Sequence, residues 1–131
     1  MDGPPLRVVI ADASRAVQDR LVRMITTLGS VLVVGCAGDG AQALDLVRER
    51  KPDVLILHLQ LPGRNTLDVL SRVRADAASP LVVMLADDPT PAVREHCQAL
   101  GASAVLDRTL EFEELMPLLR SLAVAPRSGD L

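Results

Sequence analysis

The sequence predicts an α/β domain in which one five-stranded parallel sheet lies between two layers of helices. Five short apolar runs alternate with five longer segments of helical period, a strand-then-helix order repeated five times. Three of the runs are nearly continuous Val, Leu and Ile, the pattern of strands covered on both faces. A length of 131 residues, 49% of them hydrophobic, suits one domain around one core.

The first run, Arg7–Ala11, leads into Ser14–Leu28. There Val17, Leu21, Met24, Ile25 and Leu28 fall at i, i+4, i+7, i+8 and i+11, one helical stripe. Arg15, Asp19 and Arg23 follow at four-residue spacing on another face. Ser14 suits the N-cap and Gly29 the C-cap. The second run is Val31–Cys36. The helix after it is expected over Asp39–Arg50, with Leu44 and Val47 inward and Pro52 beyond its end. The third run, Val54–His58, precedes Thr66–Ala77, which offers Leu67, Leu70 and Val73. The fourth, Leu81–Ala86, precedes Thr90–Leu100. That segment opens with a capping threonine and a proline at the first helical position, and stops at Gly101. The fifth, Ala104–Leu106, precedes Glu111–Ala123, which supplies Phe112, Leu115, Leu119 and Leu122. Pro117 removes one helix hydrogen bond there, so a kink or a late helix start is expected. Residues 6–123 read as the domain, with flexible termini at 1–5 and 124–131.

Phe112 is the only aromatic residue, so the core must be packed from Val, Leu, Ile, Ala and Met. A net charge of −3 lacks the basic stripe that binding nucleic acid directly would need. No apolar run approaches the ~18–20 residues of a membrane span. The start, MDGPPLR, lacks a basic region followed by an apolar stretch, so no signal peptide is expected. Cys36 and Cys97 fit no metal-ligand spacing. They read as buried apolar fillers in a reduced, cytoplasmic protein.

In a doubly wound sheet, sites form at the carboxyl ends of the strands. Those ends present Asp12, Ala13, His58, Leu85, Ala86, Asp87, Asp107 and Arg108. His58 closes the buried run of PDVLILHLQLPG. The functional options for an imidazole here are phosphoryl acceptor or ligand for Zn²⁺ or Cu²⁺. The plainer reading, preferred here, is a strand-end histidine hydrogen-bonded to Asp12 or to backbone. Beside Asp12 it is expected to hold its proton more strongly, which would allow pH sensing. Asp87-Asp88 reads as a solvated turn ahead of the Thr90 cap.

From about Leu6 to Ala123 the chain resembles the receiver domain of bacterial two-component response regulators. VVIADAS (Val8–Ser14) resembles the first strand of that family, which ends in an acidic pair. GDGAQALDLVRERKPDVLIL (Gly38–Leu57) resembles its second helix and third strand, and LPG (Leu61–Gly63) the turn that follows. PLVVMLA (Pro80–Ala86) resembles the fourth strand. GASAVLDRTLEFEEL (Gly101–Leu115) resembles the fifth and its exit, most closely as found in small stand-alone receivers. The resemblance implies a flavodoxin-like fold with strand order 2-1-3-4-5. It also implies a phosphorylation site. Two acids after strand one hold Mg²⁺ together with an acceptor aspartate after strand three. A hydroxyl after strand four and a lysine after strand five meet the phosphoryl group.

Against that pattern, Asp12 keeps the first acid position and Ala13 replaces the second. His58 stands at the phosphoacceptor, Leu85 (followed by Ala86) at the hydroxyl, and Arg108 at the lysine. Val105 takes the usual aromatic switch position. Mg²⁺ wants several oxygen ligands in octahedral geometry, so its binding is expected to be lost, with no other metal or cofactor in its place. Asp12 and Arg108 are expected to pair and close the pocket. The implied function is a non-enzymatic pseudo-receiver in phosphorelay signalling that acts by protein contact. The face of the fourth helix, fifth strand and fifth helix resembles the output surface of the family. It would take a signalling protein or a second copy of the chain. One rival is a phosphotransfer protein using His58. Another is the regulatory part of a DNA-binding response regulator, whose DNA-binding part would lie elsewhere, because no helix-turn-helix pattern follows.

Overall fold

A computed structural model describes residues 3–76 and 79–124. Five strands form a single parallel sheet: β1 (Leu6–Ala11), β2 (Val31–Ala37), β3 (Val54–His58), β4 (Leu81–Ala86) and β5 (Ala104–Asp107). Their order is β2-β1-β3-β4-β5, as the family resemblance implies. The helices are α1 (Arg15–Thr26), α2 (Gly40–Arg50), α3 (Thr66–Ala75), α4 (Pro91–Ala99) and α5 (Leu115–Val124). None of the described helices is long and apolar enough to cross a membrane.

The alternation of strand side chains explains why the central strands are apolar throughout. Val8, Ile10, Val54, Ile56, Val83 and Leu85 pack on one face against Leu21 and Ile25 of α1 and Leu115 and Leu119 of α5. Val9, Ala11, Leu55, Leu57, Val82 and Met84 pack on the other against α2, α3 and α4, with Cys97 among them. Every residue of β3 is buried. Each fully buried Leu or Ile contributes about 1.5–3 kcal/mol, and the one aromatic, Phe112, is buried with them on the α1/α5 face.

The helix starts follow the caps. Ser14, Asp39, Asn65 and Thr90 accept hydrogen bonds from the backbone N–H groups of Val17, Gln42, Leu67 and Val93. The expected ends were less sharp. Helix α1 stops at Thr26 and caps at Thr27, and Gly29 reverses the chain beyond it at φ +70°. Helix α3 ends at Ala75, and Ala77 lies outside the described residues, as does the 125–131 tail. Strand β5 runs one residue further than expected, to Asp107. Helix α5 starts late, after a 3₁₀ turn at Phe112–Glu114. Pro117 is then its third residue, where a backbone N–H would have no intrahelical acceptor, so the ring breaks no bond.

The sheet edges carry one feature not visible in the periodicity. Arg50 Nη1 donates to the Val34 carbonyl on β2 at 3.2 Å, and Arg94 Nη1 donates to the Val105 carbonyl on β5 at 2.8 Å. The β1–β2 register shifts between Val8 and Val9, so Val34 is an extra residue in β2. Cys36 on this edge strand is exposed, which corrects its reading as a buried filler; Cys97 is buried.

Candidate functional site

Four of the residues expected at the strand ends converge, one of them, Asp87, without having been given a part in the site. Asp12 follows β1 and is only 2% exposed. Its backbone N–H donates to the Ala37 carbonyl, and its Oδ1 accepts from the Ser14 N–H at 2.8 Å, which fixes the turn into α1. Its Oδ2 points inward. There it lies 3.6 Å from His58 Nδ1 and 3.5 Å from an Arg108 Nη1. His58 ends β3 and is 6% exposed. On its other side Nε2 lies 3.8 Å from Asp87 Oδ2. Arg108 grips Asp87 with two N–H groups, Nε to Oδ1 at 3.0 Å and Nη2 to Oδ2 at 3.3 Å. The expected Asp12–Arg108 pair therefore forms, but the shorter contact of Arg108 is to Asp87.

Asp87 and Asp88 are the exposed turn residues that the acidic pair suggested. Asp87 is in addition the fourth member of the cluster, while Asp88 takes a left-handed backbone at φ 47° beside it. The position of Asp87, the first residue past β4 and level with the other strand ends, was legible; its pairing with Arg108 and His58 was not. Asp107 is also buried but turns away. Its Oδ1 accepts from the backbone N–H groups of Leu110 and Thr109, which hold its carboxyl below the usual carboxylate range. Glu111 accepts from the Asp107 N–H and pairs with Arg94, whose guanidinium lowers its carboxyl too.

The remaining expected positions supply walls. Leu85 pairs with His58 across β3 and β4, and its side chain is fully buried in the α1/α5 cluster. Ala86 is buried and receives the Arg108 N–H on its carbonyl at 2.8 Å. Ala13 is exposed and adds no polar group. Val105 is buried among the side chains of the opposite face.

Two readings of His58 need correction. Neither ring nitrogen makes a hydrogen bond to Asp12 or to backbone, and Asp12 Oδ2 likewise has none. The ring also holds its proton less strongly than usual, not more. Burial is the largest cause of the lowering, and the Arg108 charge adds to it, outweighing the pull of Asp12 and Asp87. The consequence for stability has a definite sign. The unfolded state binds the proton more readily than the folded state, so the contribution of His58 is complete above its ordinary value of 6.5. It is lost as pH falls through that value toward the lower folded one. Urea denaturation at a series of pH values is expected to show this loss beginning near 6.5. His58→Gln should flatten that window and leave only the carboxylate losses at lower pH; an unchanged profile would remove His58 as the cause.

The donor set does not fit Mg²⁺. It offers one buried carboxylate oxygen, an imidazole and a guanidinium within 4 Å of it, where a hard divalent ion needs several oxygens and no neighbouring cation. Among the described residues no three His, Cys, Asp or Glu side chains group so as to hold a metal.

Comparison with known proteins shows the family of the chain that carries this arrangement. Residues 8–120 match the family model of the response regulator receiver domain. The chain belongs to that family. As a receiver domain of two-component signalling, it is 32% identical over 121 residues to the transcriptional regulatory protein PdtaR of Mycobacterium tuberculosis. The alignment covers 92% of this chain and 58% of PdtaR. It is also 32% identical over 126 residues to the sensory/regulatory protein RpfC of Xanthomonas campestris, covering 93% of this chain and 17% of RpfC. This receiver domain thus spans only part of the curated relatives it matches. Its fold superposes on the receiver domain of the putative response regulator NarL from Mycobacterium tuberculosis with a TM-score of 0.85 at 29% identity. That superposition covers 95% of this chain and all of the other. A response regulator domain of Thermotoga maritima CheB shares the fold with a TM-score of 0.82 at 22% identity.

Proposed function

We propose that this receiver domain is a pseudo-receiver, a signalling module that works without phosphorylation. One observation carries the reading. The carboxyl-end pocket is filled by its own side chains, with His58 buried between Asp12 and Asp87 and Arg108 pairing with both acids. The position resembling the phosphoacceptor holds no carboxylate, the second acid is Ala13, and the wall beside His58 is the hydrocarbon of Leu85. In-line phosphoryl transfer needs the charge on the moving oxygens neutralised. In this pocket the single guanidinium is already engaged by two carboxylates.

The module acts by protein contact, on a signalling protein or a second copy of the chain, and has no catalytic residue of its own. The docking face is that of α4, β5 and α5. Leu110, 82% exposed beside β5, gives it an apolar point, and the Arg94–Glu111 pair fixes α4 to the segment after β5. Incubation with a small phosphodonor and millimolar Mg²⁺, followed by intact mass measurement, tests the reading. No mass change is expected. An acid-labile gain of one phosphoryl group on His58 would make the domain a phosphotransfer protein instead.

A further inference from the structure

We propose that the His58 cluster is a proton-binding site, at which uptake of one proton moves Asp87 from Arg108 to His58. The site is formed by three buried polar atoms that converge without hydrogen bonds: Asp12 Oδ2 and the two ring nitrogens of His58. The charged groups that face the ring come from three elements. Asp12 lies at the end of β1, Asp87 on the turn after β4, and Arg108 on the connection after β5. With the ring neutral, two carboxylates face one guanidinium, which leaves the cluster one formal negative charge in excess. One proton removes that excess.

The geometry is ready to accept it. Protonated imidazole donates from both nitrogens, and a carboxylate oxygen already stands 3.6 Å from Nδ1 and 3.8 Å from Nε2. Less than about 1 Å of closure at each brings a charge-assisted hydrogen bond into range. Asp12 cannot supply much of that movement, because Ser14 and Ala37 fix its backbone and Oδ1. Asp87 can. It is the exposed member of the cluster, at 41%, and its neighbour Asp88 already sits in the sparsely populated left-handed region. Asp87 Oδ2 now accepts its longer bond from Arg108, 3.3 Å against 3.0 Å for the bond to Oδ1. Transfer to His58 therefore gives up the weaker contact first. The tether of the β4–α4 turn would pass from the exit of β5 to the end of β3, and α4 follows that turn by three residues. Burial and Arg108 set the threshold on the acid side of an ordinary histidine.

The chain has only two histidines, and the second, His96, is exposed on α4. A proton NMR titration of the whole chain between about pH 5 and 8 tests the inference. The ring of His58 is expected to titrate on the acid side of its ordinary value of 6.5. The amide signals of Asp87, Asp88 and Thr90 and the Arg108 Nε–H should shift with the His58 midpoint. His58→Gln should abolish those shifts, and Asp87→Asn should move the His58 midpoint lower by removing an attracting charge. Turn signals that stay still while His58 titrates would overturn the inference. So would turn signals that shift equally in His58→Gln, or a His58 ring that stays neutral throughout the range. Titration and mass measurement read different events, so failure of either leaves the other standing.

Discussion

Arg108→Gln is expected to destabilise the domain by about 2–3 kcal/mol at pH 8. Removing one partner of a buried ion pair costs roughly 3–5 kcal/mol, because the other charge is left unmatched. Arg108 is partly exposed, and Asp12 keeps its bond from Ser14, so the lower part of that range is discounted further. The loss should be partly recovered on acidification, a result that a purely packing-based effect would not give. Without Arg108, the ring of His58 faces two carboxylates and no cation, so it takes up a proton more readily. The proton then does part of what the guanidinium did. Urea denaturation at pH 8 and at pH 5.5 measures both effects. A cost within about 0.5 kcal/mol at pH 8, the scatter of ordinary surface substitutions, would mean that the pocket is held by its apolar walls alone.

The paired change Ala13→Asp with His58→Asp is expected to create a Mg²⁺ response, and the natural domain is expected to show none. Together with Asp12 it would give three carboxylates at the ends of β1 and β3, against the single buried one present now. Without metal, the like charges repel and the variant should melt below the parent. At a Mg²⁺ concentration 100 times the dissociation constant, binding to the folded state alone restores about 2.7 kcal/mol. At roughly 3–5 °C per kcal/mol for a domain of this size, the melting temperature should rise by about 10 °C. The parent should not respond to the same titration. If the variant also ignores Mg²⁺, the missing acids are not what keeps the ion out.

The fold was legible because its evidence is periodic. Val54–His58 reads as a strand buried on both faces, and alternation along it sends Ile56 to α1 and α5 and Leu57 to α2, α3 and α4. Caps such as Thr90-Pro91 announce themselves in two residues. Ends governed by the turn that follows were harder: Leu28 has the right period for α1, but the chain leaves the helix at Thr27. At the site, Asp12, His58 and Arg108 could be found because each closes or directly follows a strand. Asp87 was placed at a strand end by the same rule, but its role was missed because two adjacent acids look like a hydrated turn. Only the fold shows Arg108 reaching one of them across β4 and β5. The proton affinity of His58 was misjudged for a similar reason. An acid nearby is visible in the sequence, but the dryness produced by a paired leucine and the charge of Arg108 are not.

Arg50 and Arg94 have a consequence for how the molecule keeps company. A sheet with bare outer strands is a template on which like chains can stack, rung by rung. Strand β2, uncharged from Val31 to Ala37 and carrying a half-exposed Leu32, would suit such growth. One guanidinium occupies a rung on β2 and another a rung on β5, while the extra residue at Val34 breaks the flat spacing that a docking strand would have to match. A chain that docks on either edge would have to displace a guanidinium first, so contact through side chains is the cheaper course.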